Sequence, residues 1–284
     1  MKRVVICVLL LVLGFCGSVQ TPHKRVMIDA FHSLENVSPE NNMVALSKVL
    51  PDFSFETRRD VLTYKLMKEY DVVVLYQPFN NLEDSEIEAV LEFVRKGGGL
   101  IICGEHDVGW NDSSRSTYNR LGKNFGTIFT SNAIDDPTDK MGCYCTPIIH
   151  NLAVHPVTEG VTQIVMYKPC ALRLSETATA VAWGDEDTRT VGQDKITGEE
   201  IVVAAVSVYE RGKILVVGSH TAFDDSYIDL PDNLTFSVNA FQWVSEPAFF
   251  EEPSQHGSGI LIAAVCVVAV GLGALIFVVK KKQK

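Results

Sequence analysis

The chain has 284 residues, of which 46% are hydrophobic, and a formal net charge of −10 at pH 7. All 35 acidic residues lie between residues 19 and 258, together with 19 of the 25 basic residues, so this part carries a net charge of −16. An acidic surface of this kind argues against nucleic acid as a partner.

The two ends of the sequence predict a secreted protein that stays attached to a membrane. Residues 1–18 begin with basic residues, continue with an apolar run and end with small residues, and this order is typical of a signal peptide. A short uncleaved anchor is the alternative, although a span needs about 20 apolar residues. Residues 259–279 are uncharged and long enough for one transmembrane helix, and the basic tail at 280–284 is expected in the cytoplasm.

These ends predict a single-pass protein of the cell membrane with its main domain outside. That domain covers residues 25–245, and residues 246–258 form a Pro/Ser/Glu linker to the membrane. The length between the two apolar ends, about 235 residues, suits one sizeable α/β domain.

In the first half of this domain, four apolar runs alternate with three helical patterns. Strands are predicted at residues 25–28, 53–57, 71–76 and 100–103, and helices at residues 38–50, 61–68 and 82–95. This alternation predicts βαβ units with right-handed crossovers and a mostly parallel sheet.

The second half has a different pattern. A helix at 114–124 and a strand at 125–129 are followed by an irregular stretch at 135–156, and a final helix is predicted at 232–244. Between them, the residues most typical of strands are 178–183, 201–209 and 213–217. The last two strands are separated by a short turn and predict an antiparallel hairpin at or beside the sheet.

Four of the seven cysteines lie outside the apolar ends. A disulfide between Cys143 or Cys145 and Cys170 is expected outside the membrane, but the spacing does not decide the pairing. Metal binding by the Cys-x-Cys pair is the alternative, and it is disfavoured because no second pair stands at metal-site spacing.

Several segments, in a fixed order, carry a resemblance to a known family. They are YDVVVLYQP, the following helix, GGGLIICGEHD, the run from His155 to Val161, GKILVVGSHTAFDD and DNLTFSVNAFQW. Over residues 25–245 this pattern resembles the class I glutamine amidotransferase-like superfamily, and within it an often non-catalytic branch of membrane-associated microbial proteins related to gliding-type transport components. The resemblance implies a flavodoxin-like three-layer sandwich with a mostly parallel sheet, and it places the counterpart of the active site at the loop after Cys103.

Cys103 is the one candidate for a catalytic residue, and the sequence around it argues against that role. Catalytic members of the superfamily use a cysteine in a Gly-x-Cys-x-Gly turn and a later His-x-Glu pair. Here Ile101 and Glu105 occupy the two glycine positions, and His220 has no glutamate two residues later. Since a nucleophile needs a sharp exposed turn and a base within reach, we expect Cys103 to be a small buried residue.

Three predicted strand ends each carry a histidine close to carboxylates. Because the carboxyl ends of parallel strands meet at one edge of a sheet, these loops are expected to form a cleft that binds a polar ligand, orients a water or holds a divalent metal. The predicted ligand-binding residues are Asp29, His32, Glu105, His106, Asp107, His220 and Asp224, and the candidate metal ligands are His32, His106 and His220. The alternative is that each polar side chain caps a helix or bonds a loop backbone group.

Two functions fit this sequence. In the first, the protein is a membrane-anchored ligand-binding or assembly module without catalysis, with protein partners in a transport or envelope complex. In the second, it is a surface hydrolase that uses a divalent metal and acts on a small polar or carbohydrate substrate.

Overall fold

The computed structural model describes residues 23–33, 42–76, 78–106, 110–192 and 195–248. The predicted signal peptide at 1–18, transmembrane helix at 259–279 and basic tail at 280–284 lie outside these ranges, as does most of the linker at 246–258. Within the described ranges no helix is long and apolar enough to cross a membrane.

Thirteen strands and five α-helices are assigned in the described part of the chain. The strands are β1 (Lys24–Asp29), β2 (Phe53–Arg58), β3 (Val72–Leu75), β4 (Gly99–Cys103), β5 (Thr127–Asp135), β6 (Ile148–Ile149), β7 (Asn151–Leu152), β8 (Ile164–Val165), β9 (Cys170–Leu174), β10 (Ala178–Trp183), β11 (Arg189–Val191), β12 (Val202–Tyr209) and β13 (Gly212–Val217). The helices are α1 (Val44–Val49), α2 (Tyr64–Met67), α3 (Asp84–Arg95), α4 (Asp112–Lys123) and α5 (Asn233–Val244). Short 3₁₀ turns occupy Pro156–Thr158, Gly198–Glu200 and His220–Phe223.

Eleven strands form one mixed sheet in the order β11-β5-β9-β12-β13-β4-β3-β1-β2, with β10 beside β12 and β7 beside β10. The strands from β13 to β2 are parallel to one another. All remaining pairs in this sheet are antiparallel, including the predicted hairpin of β12 and β13, which is confirmed.

The predicted flavodoxin-like sandwich with a mostly parallel sheet is therefore wrong. A parallel pair needs a crossover of a dozen or more residues, usually a helix, and helices α1, α2 and α3 lie in such crossovers after β1, β2 and β3. Between α4 and α5 the described chain has only short 3₁₀ turns, so its strands are joined by hairpins and loops and pair antiparallel.

The parallel half of the sheet has an apolar core on each face. In β4, Ile101 and Cys103 belong to one core, and Leu100 and Ile102 belong to the other, as the alternation of side chains along a strand requires. Apolar residues of α1 and α5 fill the first core, and those of α2, α3 and α4 fill the second. The strands are thus held rigidly at a fixed register, which positions the loops that leave their carboxyl ends.

Helix α3 shows how the sequence specifies one of these layers. Ile87, Val90, Leu91 and Val94 repeat at helical spacing and are buried. The helix ends just before Gly97, whose φ of +104° is a backbone conformation that favours glycine. The predicted helix at 82–95 is confirmed with a start two residues later.

Candidate functional site

The loops predicted to carry the site leave the sheet at one edge. Asp29 at the end of β1 pairs with Leu75 in β3, and Leu75 pairs with Ile102 in β4. On the other side of β4, Cys103 pairs with Val217 at the end of β13. The parallel half therefore delivers all three histidine loops to the same edge, as the sequence predicted.

The first group of polar side chains at this edge is the His32 cluster, which consists of Asp29, His32 and Glu86. His32 Nδ1 lies 2.8 Å from Asp29 Oδ2, and His32 Nε2 lies 3.1 Å from Glu86 Oε2. The three residues are at most 2% exposed. Because both ring nitrogens face carboxylate oxygens, both donate and the imidazole carries a positive charge.

Backbone groups complete the bonding of these two carboxylates. Asp29 Oδ1 accepts hydrogen bonds from the backbone N–H groups of Phe31 and His32. Glu86 accepts the N–H groups of Leu62 and Glu83, at 2.9 and 3.0 Å. Burial opposes the charged imidazole, but the hydrogen bonds and charges of Asp29 and Glu86 outweigh it and raise the pKa of His32. The cluster therefore ties the loop after β1 to the start of α3.

The second group is the Glu105 cluster, which consists of Glu105, His106 and His220. Glu105 Oε1 lies 2.5 Å from His106 Nδ1, and Glu105 Oε2 lies 3.0 Å from His220 Nδ1. The His220 contact has the distance of an ion pair without the alignment of a hydrogen bond. Burial raises the pKa of Glu105, but the hydrogen bond from His106 and the proximity of His220 lower it to about 2.

Asp224 and Tyr76 lie beside the Glu105 cluster. The Tyr76 hydroxyl donates to Asp224 Oδ2 at 2.9 Å, and the Tyr76 ring packs edge-on against the imidazole of His220 at 5.0 Å. Asp224 also accepts from the side chain of Asn42 and from the backbone N–H of Ser226. Although burial opposes ionisation of Asp224, these hydrogen bonds lower its pKa. Asp224 is thus a bonded carboxylate that connects the loop after β13 with the residues just before α1.

The sequence did not point to Glu86 or Tyr76. The helical spacing did indicate that Glu86 is buried, because it stands four residues before Val90 and seven before Phe93 on the buried face of α3. Tyr76 directly follows the buried strand β3, and nothing near it in the sequence indicates its contact with Asp224, 148 residues later.

Cys103 does not have the environment of a nucleophile. Its side chain is fully buried, and burial together with the negative charge of Glu105 raises the pKa of its thiol far above the usual range. The thiol stays protonated at neutral pH, and only the thiolate is a strong nucleophile. The expectation of a buried apolar role is confirmed for Cys103. The remaining predicted site residue, Asp107, lies outside the described residues.

The three candidate metal ligands do not come together. Among the described residues, three or more His, Cys, Asp or Glu ligand atoms within 4.8 Å of one another occur only at Asp136, Asp185 and Asp187. His106 and His220 share one carboxylate, and His32 is held separately by Asp29 and Glu86. The loops of β1 and β4 are two strand spacings apart, about 10 Å, whereas zinc ligands sit about 2 Å from the ion.

The disulfide pairing differs from the one expected. Cys143 is bonded to Cys145, with a Cα–Cα distance of 5.2 Å. Cys170 is a buried free thiol at the start of β9, and burial raises its pKa to about 12. The prediction of a bridge to Cys170 is therefore wrong, because this residue is part of the sheet and its side chain packs in the core.

Comparisons with solved structures place the fold. The mmIFT52 N-terminal domain is similar with a TM-score of 0.64 and 17% identity, over 79% of this chain and 99% of that one. Cytoplasmic protein STM1381 from Salmonella typhimurium LT2 has a TM-score of 0.53 and 13% identity, over 78% and 99% of the two chains. A ThuA-like protein from Bacteroides uniformis ATCC 8492 has a TM-score of 0.50 and 16% identity, over 79% and 92%.

No protein-family model matches this sequence, and no curated protein matches it by sequence. At these identities the likeness shows the fold alone. The identification with the class I glutamine amidotransferase-like superfamily is wrong, because the similar structures are an IFT52 domain and ThuA-like and STM1381-type proteins.

Proposed function

We propose that the protein is a membrane-anchored extracytoplasmic assembly module that binds a protein partner and carries no catalysis at its histidine loops. One observation carries this proposal: the charged groups predicted to act on a ligand are bonded to one another and to the backbone. Buried networks whose hydrogen bonds are all formed, as in the His32 cluster, rigidify the loops that carry them. Two exposed aromatic side chains beside the His32 cluster support the choice of a protein as the partner.

Two exposed phenylalanines are the proposed contact surface. Phe31 is 44% exposed and Phe79 is 40% exposed, and both lie on loops that the His32 cluster fixes. The backbone N–H of Phe79 donates to the carbonyl of His32 at 2.7 Å, and the Asn80 side chain donates to the carbonyl of Phe31 at 3.1 Å. Aromatic side chains, phenylalanine among them, are enriched at protein interfaces.

The test compares the size of the complex that the full-length protein forms in mild detergent for wild type and for the double variant Phe31→Ser/Phe79→Ser. We expect the double variant to weaken association by about a hundredfold or more, because two aromatic contacts are lost. Val208→Ser is the matched control, since Val208 is 48% exposed on β12 near its hairpin end. If both variants co-migrate with the partner as wild type does, the proposed contact surface is wrong.

Metal analysis of the same preparation distinguishes the assembly module from the metal-dependent hydrolase. The assembly module predicts no stoichiometric divalent metal at the histidine loops. Stoichiometric metal that disappears when His32 and His106 are both changed to Ala would support the hydrolase instead.

A further inference from the structure

The Cys143–Cys145 disulfide lies on the surface of the irregular stretch between β5 and β6. Cys143 is exposed and Cys145 is half-buried. Tyr144 between them is 54% exposed, and the neighbouring Met141 is 39% exposed. The bond is thus open to a thiol from solvent and has apolar surface beside it.

The backbone around this disulfide is held without the sulfur–sulfur bond. The N–H of Thr146 donates to the carbonyl of Cys143 at 3.1 Å, and the N–H of Met141 donates to the carbonyl of Thr146 at 2.9 Å. Two longer-range bonds fix the loop to its surroundings, from Asp136 N–H to the Tyr144 carbonyl at 2.9 Å and from Lys168 N–H to the Cys145 carbonyl at 2.7 Å. Reduction would leave the two thiols in place, ready to re-form the bond.

A structural role explains this disulfide poorly. It closes a loop with only one residue between the cysteines, so it removes little chain entropy from the unfolded state. Exposed disulfides are also the ones that exchange with thiols and serve catalysis or regulation. The disulfide closes a small loop, it is exposed, and hydrogen bonds hold the backbone around it without the sulfur–sulfur bond. These three features all favour a reversible bond.

We propose that Cys143 and Cys145 form a redox-active pair that exchanges disulfides with dithiols of unfolded or extended protein segments. The segment would contact Met141 and Tyr144, whose apolar side chains flank the bond. This activity is independent of the assembly role proposed above, and its failure would leave that role untouched.

The exchange proceeds in two balanced steps. A substrate thiolate attacks Cys143 Sγ, the Cys143–Cys145 bond breaks, and Cys145 leaves as a thiolate. A second substrate thiolate then attacks the substrate sulfur of the mixed disulfide, and Cys143 leaves. The substrate has lost two electrons and two protons, and both cysteines end as thiols. Oxidised glutathione, a small-molecule disulfide, takes these two electrons and restores the Cys143–Cys145 bond.

Exposure assigns different roles to the two cysteines. Cys143 is the one attacked, because it is the more exposed. The hydroxyl of Thr146 lies 3.5 Å from Cys143 Sγ and can donate to it, which would stabilise a Cys143 thiolate when the pair is reduced. Cys145 is the resolving cysteine.

The first experiment equilibrates the full-length protein in detergent with glutathione buffers from fully oxidised to fully reduced. Free thiols are trapped with a mass-tagged maleimide and assigned by peptide mapping. We expect Cys143 and Cys145 to become labelled together, with little change in circular dichroism or in the unfolding midpoint. The buried thiols of Cys103 and Cys170 serve as internal controls that stay unlabelled in the folded protein. A bond that resists every buffer, or whose reduction unfolds the protein, overturns the proposal.

The second experiment measures the recovery of active ribonuclease A from its reduced form with oxidised glutathione. We expect wild type to speed recovery at least about threefold over Cys143→Ser/Cys145→Ser. With glutathione disulfide, Cys145→Ser should accumulate a mixed disulfide on Cys143, whereas Cys143→Ser should accumulate far less. Equal recovery rates for wild type and the double variant would overturn the proposed activity.

Discussion

The His32 cluster and the Glu105 cluster use the same kinds of group in opposite arrangements. In the first, one histidine lies between two carboxylates, and all three residues are almost fully buried. In the second, one carboxylate lies between two histidines whose side chains are each 12% exposed. The first cluster therefore depends on a charged imidazole, and the second depends on a charged carboxylate.

This difference shows why neighbouring loops at one sheet edge need not form one pocket. The loop after β1 reaches the start of α3, whose Glu86 completes the His32 cluster. The loops after β4 and β13 are adjacent, so Glu105 and His220 meet each other. The three histidines thus contact two separate sets of carboxylates, and the two clusters should respond to mutation and pH in opposite ways.

The largest expected effect comes from removing the central imidazole of the His32 cluster. His32→Ala leaves Asp29 and Glu86 buried without their cation, and breaking a buried ion pair in this way costs about 3–5 kcal/mol. The measurement is the free energy of unfolding in urea at pH 7.

His150→Ala is the matched control for that variant. Its side chain is 47% exposed and lies 3.8 Å from the carboxylate of Asp139. The control should change stability by no more than about 0.5 kcal/mol. If the His32→Ala protein is as stable as the control, the His32 cluster does not stabilise this edge of the sheet.

A smaller effect is expected when the central carboxylate of the Glu105 cluster loses its charge. The shift in the pKa of Glu105 from 4.5 to about 2 corresponds to about 3 kcal/mol of stability at neutral pH. Glu105→Gln keeps the shape and one acceptor, and we expect a loss of about 2–3 kcal/mol, because a neutral amide oxygen replaces the charged acceptor.

The pH dependence on the acid side separates this charge effect from a packing effect. A carboxylate with a lowered pKa stabilises the fold above its unfolded pKa and loses that contribution as the pH falls from 4.5 towards 2. Wild type should therefore lose more stability over this range than Glu105→Gln. Parallel stability curves for the two proteins would contradict the assigned pKa.

The smallest expected effect is the loss of folding stability at alkaline pH that comes from the His32 cluster. A histidine with a raised pKa stabilises the fold fully below its ordinary value of 6.5 and loses that contribution as the pH rises through its raised value. Wild type should lose stability as the pH rises above 6.5, and His32→Ala should lose less. Urea unfolding of both proteins between neutral and alkaline pH measures the difference, and equal slopes would contradict a charged His32.

The positions of the candidate residues followed from local sequence, but their partners did not. The apolar runs before Asp29, Cys103 and Gly218 placed three loops at strand ends, and parallel pairing brought them to one edge. Whether the side chains would face a ligand or one another depended on Glu86 and Tyr76, which are far from their partners in sequence. The described contacts favour the alternative in which these polar side chains bond to backbone groups and to one another instead of to a ligand.

The sequence by itself determined the elements of the parallel half, because an apolar run of four or five residues and a helical repeat are local properties. It also determined the hairpin of β12 and β13, since a two-residue connection admits only antiparallel pairing. Only the tertiary structure decided that β5, β9, β10 and β11 extend the same sheet in antiparallel fashion. The reason is physical: strand order and the partners of buried charges depend on contacts between distant residues, which no local pattern specifies.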